Sequence, residues 1–337
     1  MRELFETMFL LESLREHIRK NAPNGIEDED KIKDAILDFK NRIEEITGIK
    51  VKDGYLSDRI EIREKEERYI NINPIQAGGR LTEEARRALI VYGDGYSVCD
   101  HCYRPFRLDY IKRPPIKDFF SELAEFLNME CVRVVRGARD GFRIVMDALL
   151  EKGDVVLVSE VAHYSLCLAI ENRGAKWREI PLKDGKVTAE GVADKIEEAR
   201  KSTGTVPKLV AVEHFDYSYG NEHKVYEIAK VCHEYEIPFL YNGAYSVGVM
   251  PVDGKKIGAD FIVGSGHKSM ASPAPTGVLA TTEEWSKVLF RTTKMSGNIT
   301  GRKFGIKEIH LLGCTVMGAP LVAMMASFPH VKERVKR

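Results

Sequence analysis

The chain of 337 residues is 44% hydrophobic and 30% charged, with Lys+Arg and Asp+Glu balanced at 51 each. This is the composition of a globular protein long enough to bury a sizeable core, and it carries no net field that would recruit a polyanion. Any nucleic-acid contact must therefore use a local patch. No apolar run approaches the length of a membrane span, and Met1-Arg2-Glu3-Leu4 opens an amphipathic pattern and not a signal peptide, so a reducing cytoplasmic compartment is expected.

Residues 1–68 read as an N-terminal helical hairpin and linker. Leu4, Met8, Leu11, Leu14 and Ile18 fall on one helical face, and Asn21-Ala22-Pro23-Asn24-Gly25 ends that helix. Ile32, Ile36, Phe39, Ile43 and Ile46 recur at alternating four- and three-residue steps up to Gly48. The two stripes need a partner, either the rest of the chain or another protein. Arg59 to Arg68 reads as a solvated linker. Next come Asn73-Pro74-Ile75-Gln76-Ala77-Gly78-Gly79-Arg80 and a Gly/Asp/Tyr-rich segment holding Cys99 and Cys102 in a C-x-x-C.

From Tyr69 to about residue 330 the chain alternates strands and helices. Cys131–Val135 reads as a strand that runs into Arg136-Gly137-Ala138-Arg139 and an amphipathic helix bearing Phe142, Val145, Met146 and Leu149. Val155–Val158 leads to His163, Leu209–Val212 to Asn221, and Pro238–Tyr241 to Asn242. Asp260–Gly264 leads to Ser265-Gly266-His267-Lys268-Ser269, and a Pro/Gly loop turns into Val278–Ala280. The alternation predicts an α/β domain, a mostly parallel sheet with helices on both faces, and ligands gathered at the carboxyl ends of its strands. Each unusual polar residue falls at such an end.

Lys268 is the residue of greatest chemical promise. A primary amine that is partly desolvated loses its proton readily and attacks an aldehyde, which a guanidinium does not. Ser265, Gly266 and His267 beside it leave room for a flat ring. Ala138 and Arg139 open a helix whose N–H groups suit a phosphate. His163 is placed to lie over a ring, and Asn221 and Asn242 to hydrogen-bond its edge. Of the six cysteines, Cys131, Cys167 and Cys232 sit in apolar patterns as core residues, whereas Cys99, Cys102 and Cys314 sit beside glycines and polar residues. A disulfide scaffold is not expected in a chain of this size.

These segments, with Leu311-Leu312-Gly313-Cys314-Thr315-Val316-Met317-Gly318, resemble fold type I pyridoxal-phosphate enzymes. Within them, from about Tyr69 to Phe328, the chain is similar to the archaeal-type O-phosphoseryl-tRNA:cysteinyl-tRNA synthases. The resemblance implies a pyridoxal 5'-phosphate catalytic domain over 69–330, with 331–337 as the start of a further small domain. It implies a sulfur transferase that exchanges the phosphate of phosphoserine on tRNA(Cys) for sulfur. Lys268 would carry the cofactor; Ala138, Arg139, Ser265, Gly266 and His267 would hold its phosphate, His163 its face, and Asn221 and Asn242 its edge. Most fold type I enzymes have an aspartate where this chain has Asn242, and an amide holds a ring proton less well than a carboxylate, so a weaker electron sink is expected. Arg80 and Arg104 would receive the substrate phosphate. Cys99, Cys102 and Cys314 would deliver sulfur as a persulfide or ligate an iron–sulfur cluster with one open iron. The resemblance further implies a homodimer and a separate sulfur donor; for residues 1–68, outside the resemblance, a phosphoseryl-tRNA synthetase is the candidate partner. Cysteine desulfurases share the scaffold and are the alternative enzyme; a scaffold that merely docks a synthetase is the alternative of another class.

Overall fold

The computed structural model describes residues 2–21, 28–50, 80–93, 97–99, 104–105, 115–304, 307–313 and 316–336. The chain divides into two units, Met1–Asn73 and Pro74–Arg337.

In the first unit the predicted hairpin elements are present, as helices Arg2–Asn21 and Glu29–Thr47. Gly48 ends the second in a left-handed conformation (φ 68°), which a residue without Cβ adopts freely. Leu4, Met8, Leu11 and Leu14 on the first helix and Ile32, Ile36, Phe39 and Ile46 on the second are exposed.

In the second unit, seven strands make one sheet among the described residues: β3 Cys131–Val135, β4 Val155–Ser159, β5 Lys176–Ile180, β6 Leu209–Glu213, β7 Phe239–Gly243, β8 Phe261–Ser265 and β9 Gly277–Thr281. Their order is β3-β9-β8-β7-β6-β4-β5. The five strands from β8 to β5 run parallel, while β9 runs antiparallel to both β8 and β3. β5 was not anticipated: Lys176-Trp177-Arg178-Glu179 lies at the sheet edge and carries no apolar run. A three-stranded sheet pairs β1 (Ser97–Cys99) with β2 (Arg104–Pro105) and with β10 (Val316–Met317).

The period-two alternation of the strands divides the core in two. Leu157, Val210, Val212, Phe239 and Tyr241 face helices Ile116–Leu127, Ala189–Thr203, Val225–Glu234 and Gly318–Lys336. Val156, Val158, Leu209, Ala211, Leu240, Phe261 and Val263 face helices Ala138–Leu149, Tyr164–Glu171 and Glu283–Leu289. Residues 331–336 complete the last two turns of the Gly318 helix, with Val331 in the first of these cores. Continued to the strand ends, the same alternation puts Glu213, Asn242 and Ser265 on the side of the Ala138 helix. Glu213 pairs in register with Asn242, and Asn242 with Val263.

Candidate active site

A cavity of about 240 Å³ opens at the carboxyl ends of these strands, lined among others by Gly137, His163, Glu213, Asn242, Tyr245 and Lys268. Ala138, Arg139, Ser265 and His267 also line it, so most of the residues expected to bind a cofactor converge on one place.

Lys268 lies in a single helical turn, Gly266–Ser269, directly after the fully buried β8. Gly266 is there because of crowding: a Cβ on it would stand 2.5 Å from Thr276 Oγ1. Lys268 Nζ donates to Tyr245 Oη at 2.9 Å and sits 4.0 Å from the centre of the Tyr245 ring. Burial, and then the Arg139 guanidinium, lower the Lys268 pKa to about 8, while burial pushes the Tyr245 phenol up to about 12. The amine is thus the readily neutralised member of the pair, and the phenol stays protonated. The Arg334 guanidinium donates to the carbonyls of Ser269 and Gly248, fixing the end of the lysine turn from the last helix.

The helix Ala138–Leu149 begins at Gly137, in a positive-φ conformation (φ 87°) with no side chain to cap the first turn. The N–H groups of Ala138 and Arg139 therefore have no capping side chain. Opposite them, the start of β9 comes so close that a Cβ on Gly277 would lie 2.6 Å from the Gly137 carbonyl carbon. His267 Nδ1 lies 3.3 Å from the Thr276 carbonyl, to which it donates, and burial lowers its pKa. Ser265 Oγ is buried without a hydrogen-bond partner. His163 caps the helix Tyr164–Glu171, its Nδ1 accepting from Ser165 N–H at 3.3 Å and lying 2.8 Å from Ser165 Oγ. Burial, Lys268 and Arg139 together lower the His163 pKa, which keeps this ring neutral.

At the floor, Asn242 Oδ1 accepts from Ala244 N–H at 3.2 Å, which leaves the amide NH2 as its free donor. Beside it Glu213 Oε1 accepts from Ser159 Oγ at 2.5 Å. Asn221 is not among the lining residues. It sits in the loop after β6, where Asp216 holds its backbone N–H at 2.9 Å and its amide packs on Gly185, a Cβ at which would lie 2.9 Å from Asn221 Nδ2.

Arg80 is exposed, two residues before Thr82, the N-cap of helix Glu83–Val91. Thr82 Oγ1 lies 3.2 Å from Ser327 Oγ, which donates to the Ala271 carbonyl at 2.6 Å, three residues beyond Lys268. Of Cys99 and Arg104 the structure describes the backbone: they are register partners of β1 and β2. Val98, next to Cys99, pairs with Val316, two residues after Cys314. Cys102 and Cys314 lie outside the described residues, as does the linker Arg59–Arg68.

Tyr245 and Glu213 were not singled out from the sequence. Tyr245 follows Asn242 by three residues, a spacing that marks it as a second residue from the same strand end. Glu213 is the acid closing an otherwise apolar strand, Leu209-Val210-Ala211-Val212.

The set suits pyridoxal phosphate: a depressed lysine amine, an uncapped helix start and an orphaned serine hydroxyl for a phosphate, and imidazole and amide groups lining the same cavity.

The aminotransferase class-V family model matches residues 117–315. O-phospho-L-seryl-tRNA:Cys-tRNA synthase 1 of Methanococcoides burtonii is 56% identical over 339 residues, covering 99% of this chain and 74% of that protein. The chain belongs to the O-phosphoseryl-tRNA:Cys-tRNA synthase family. Among solved structures, the SepCysS–SepCysE N-terminal domain complex matches with a TM-score of 0.73 at 42% identity, over 85% of this chain and 72% of that one. A cysteine desulfurase of Thermococcus onnurineus matches at 20% identity, over 78% of this chain and 67% of that one, with a TM-score of 0.62; it shares the fold. The architecture is thus that of the class-V, fold type I group to which this synthase family belongs.

Proposed function

We propose that this protein is a pyridoxal-phosphate enzyme that converts O-phosphoseryl-tRNA(Cys) to cysteinyl-tRNA(Cys), releasing phosphate and installing sulfur at the β-carbon. The observation that carries this reading is a lysine amine, lowered to about 8, at the strand-end cleft of a chain in the synthase family. The fold it shares with desulfurases at 20% identity does not carry the chemistry of either.

Lys268 would hold the cofactor, the Ala138–Arg139 helix start with Ser265, Gly266 and His267 its phosphate, His163 its face, and Asn242 its ring edge. When bound, pyridoxal phosphate supplies an electron sink for bonds at the substrate α-carbon. Lys268, once its nitrogen is free, takes and returns the α-proton at Nζ; its depressed pKa makes it an effective base near neutral pH. Tyr245 orients Nζ through the 2.9 Å hydrogen bond. The His163 ring, half-buried and neutral, covers the cleft without adding charge. Arg80 and Arg104 receive the departing phosphate. Cys99, Cys102 and Cys314 bring sulfur from the donor, as a persulfide or on a cluster; supporting this, β1, which ends at Cys99, pairs with Val316–Met317 of β10.

The enzyme acts on tRNA in the cytoplasm as a homodimer. Among the described residues no helix is long and apolar enough to cross a membrane. The exposed apolar faces of helices Arg2–Asn21 and Glu29–Thr47 dock a partner protein, the synthetase that makes phosphoseryl-tRNA. Deleting residues 1–68 should abolish that complex and keep cofactor binding.

The test is phosphate release under anaerobic conditions. The wild type releases phosphate from O-phosphoseryl-tRNA(Cys) and Lys268→Ala does not. Equal release by the Lys268→Ala variant overturns the assignment.

A further inference from the structure

Two buried polar groups at the cleft, Glu213 and His223, carry no role in the chemistry above. Glu213 is 3% exposed and lines the cleft, yet its Oε2 has no hydrogen-bond partner. His223 is 2% exposed, and its Nε2 also lacks one. His223 Nδ1 accepts from Val187 N–H at 3.1 Å, so the ring proton resides on Nε2, 3.8 Å from Glu213 Oε1. With Nδ1 occupied as an acceptor, His223 is neutral, and burial lowers its pKa as well.

The groups that reach Glu213 are Ser159 from β4, Asn242 from β7, Cys167 from the Tyr164 helix, and Asp216 and His223 from the loop after β6. None of these is a cation; Lys268, Arg139 and His163 line the same cleft. Burial raises the Glu213 pKa, opposed by the Ser159 and backbone hydrogen bonds and reinforced by Asp216. Burial in such a place disfavours the carboxylate and favours the protonated acid.

We propose that Glu213 supplies the ring-nitrogen acid that position 242 lacks, donating its proton from the cleft floor to the ring nitrogen of bound pyridoxal phosphate. The inference rests on the cofactor reading above. The proton leaves the Glu213 carboxyl group and ends on, or shared with, the nitrogen; Glu213 becomes a carboxylate, and the charge pair is formed inside the site. Two donors already surround that carboxylate. Ser159 Oγ–H is in place at 2.5 Å, and the Nε2–H of His223 has only a 3.8 Å gap to close. Both orphaned atoms are thereby used, the Glu213 oxygen as donor and the His223 nitrogen as a stabiliser of the product anion. Asn242 is left as a neutral neighbour, its NH2 free because Ala244 N–H occupies its Oδ1. The electron sink is then stronger than an amide alone provides.

The test is the 15N resonance of the ring nitrogen in holoenzyme reconstituted with ring-labelled pyridoxal phosphate. The wild type should show the protonated position. Glu213→Gln keeps the shape and the Ser159 contact but has no acidic proton. It should move the resonance by most of the separation that the free labelled cofactor shows between acid and alkaline solution. Asn242→Asp in the Glu213→Gln background should restore the protonated position. Should Glu213→Gln fail to fold, Ser159→Ala serves instead: it removes a donor from the carboxylate and should move the resonance toward the unprotonated position. A wild-type resonance already at the unprotonated position overturns the proposal, as does a resonance unmoved by Glu213→Gln or, in its stead, Ser159→Ala. A wild type that holds no labelled cofactor defeats the cofactor reading itself and this proposal with it.

Discussion

Lys268 Nζ hangs on the Tyr245 hydroxyl at 2.9 Å, above the ring of the same residue at 4.0 Å. The phenol, pushed up to about 12, stays protonated, so it can accept from the amine without competing for the proton that the amine exchanges. Tyr245→Phe keeps the ring and removes the acceptor. We expect retained cofactor binding and a turnover roughly ten- to a hundredfold slower, the cost of a loosened reacting group. Single-turnover kinetics at saturating substrate check this, and an unchanged rate removes Tyr245 from the positioning of the lysine.

The lowered Lys268 pKa has a stability consequence in the cofactor-free protein. The folded value, about 8, lies below the ordinary 10.5. Between these two pH values the unfolded chain holds a proton that the folded chain has released, so the stability of the apo protein rises with pH across that window. Below about 8 both states are protonated and the full cost of burying the charge is present. Lys268→Met should therefore stabilise the apo protein by about 1–3 kcal/mol at pH 7. The gain should shrink toward pH 10.5. Denaturant titrations at pH 7 and pH 10 measure it.

Ser265 Oγ is buried with nothing to bond. Ser265→Ala should leave the apo protein as stable as the wild type, or more stable by up to about 1 kcal/mol, because it deletes an unsatisfied hydroxyl. The same change should weaken pyridoxal-phosphate binding roughly tenfold or more, the worth of a hydrogen bond to an anion. Thermal unfolding of the apo protein and an equilibrium titration with the cofactor separate the two effects.

Gly277→Ala tests the phosphate turn from the other side. The added Cβ would meet the Gly137 backbone at 2.6 Å, and no flexible side chain can yield there. A destabilisation of about 1–3 kcal/mol is expected, together with loss of cofactor affinity. A variant that binds the cofactor normally would show that the close approach of β9 to Gly137 has no part in the site.

Much of this was legible in the sequence because of where the signal lies. β3 begins and ends as read, and β8 and Lys268 stand where a buried apolar run followed by Ser-Gly-His-Lys put them. Strand direction leaves no mark on composition, so the antiparallel insertion of β9 between β3 and β8 was not visible. Tyr245 and Glu213 escaped notice because a tyrosine in a loop and a glutamate at a strand end read as packing and surface. Only the register of β6 on β7 sets Glu213 beside Asn242. Asn221 illustrates the converse: a polar residue after a strand, read as ring-binding, is held by the turn around Asp216 and packs on Gly185.

The most direct measurement is the identity of the amino acid on the tRNA after the reaction. Pyridoxal-phosphate-loaded protein is incubated without oxygen with O-phosphoseryl-tRNA(Cys) and sulfide, and the amino acid is then released and identified by mass. The account predicts cysteine on the tRNA, with one phosphate freed for each cysteine made and neither formed by Lys268→Ala. Phosphoserine recovered intact, while the same preparation turns free cysteine into alanine, would contradict it.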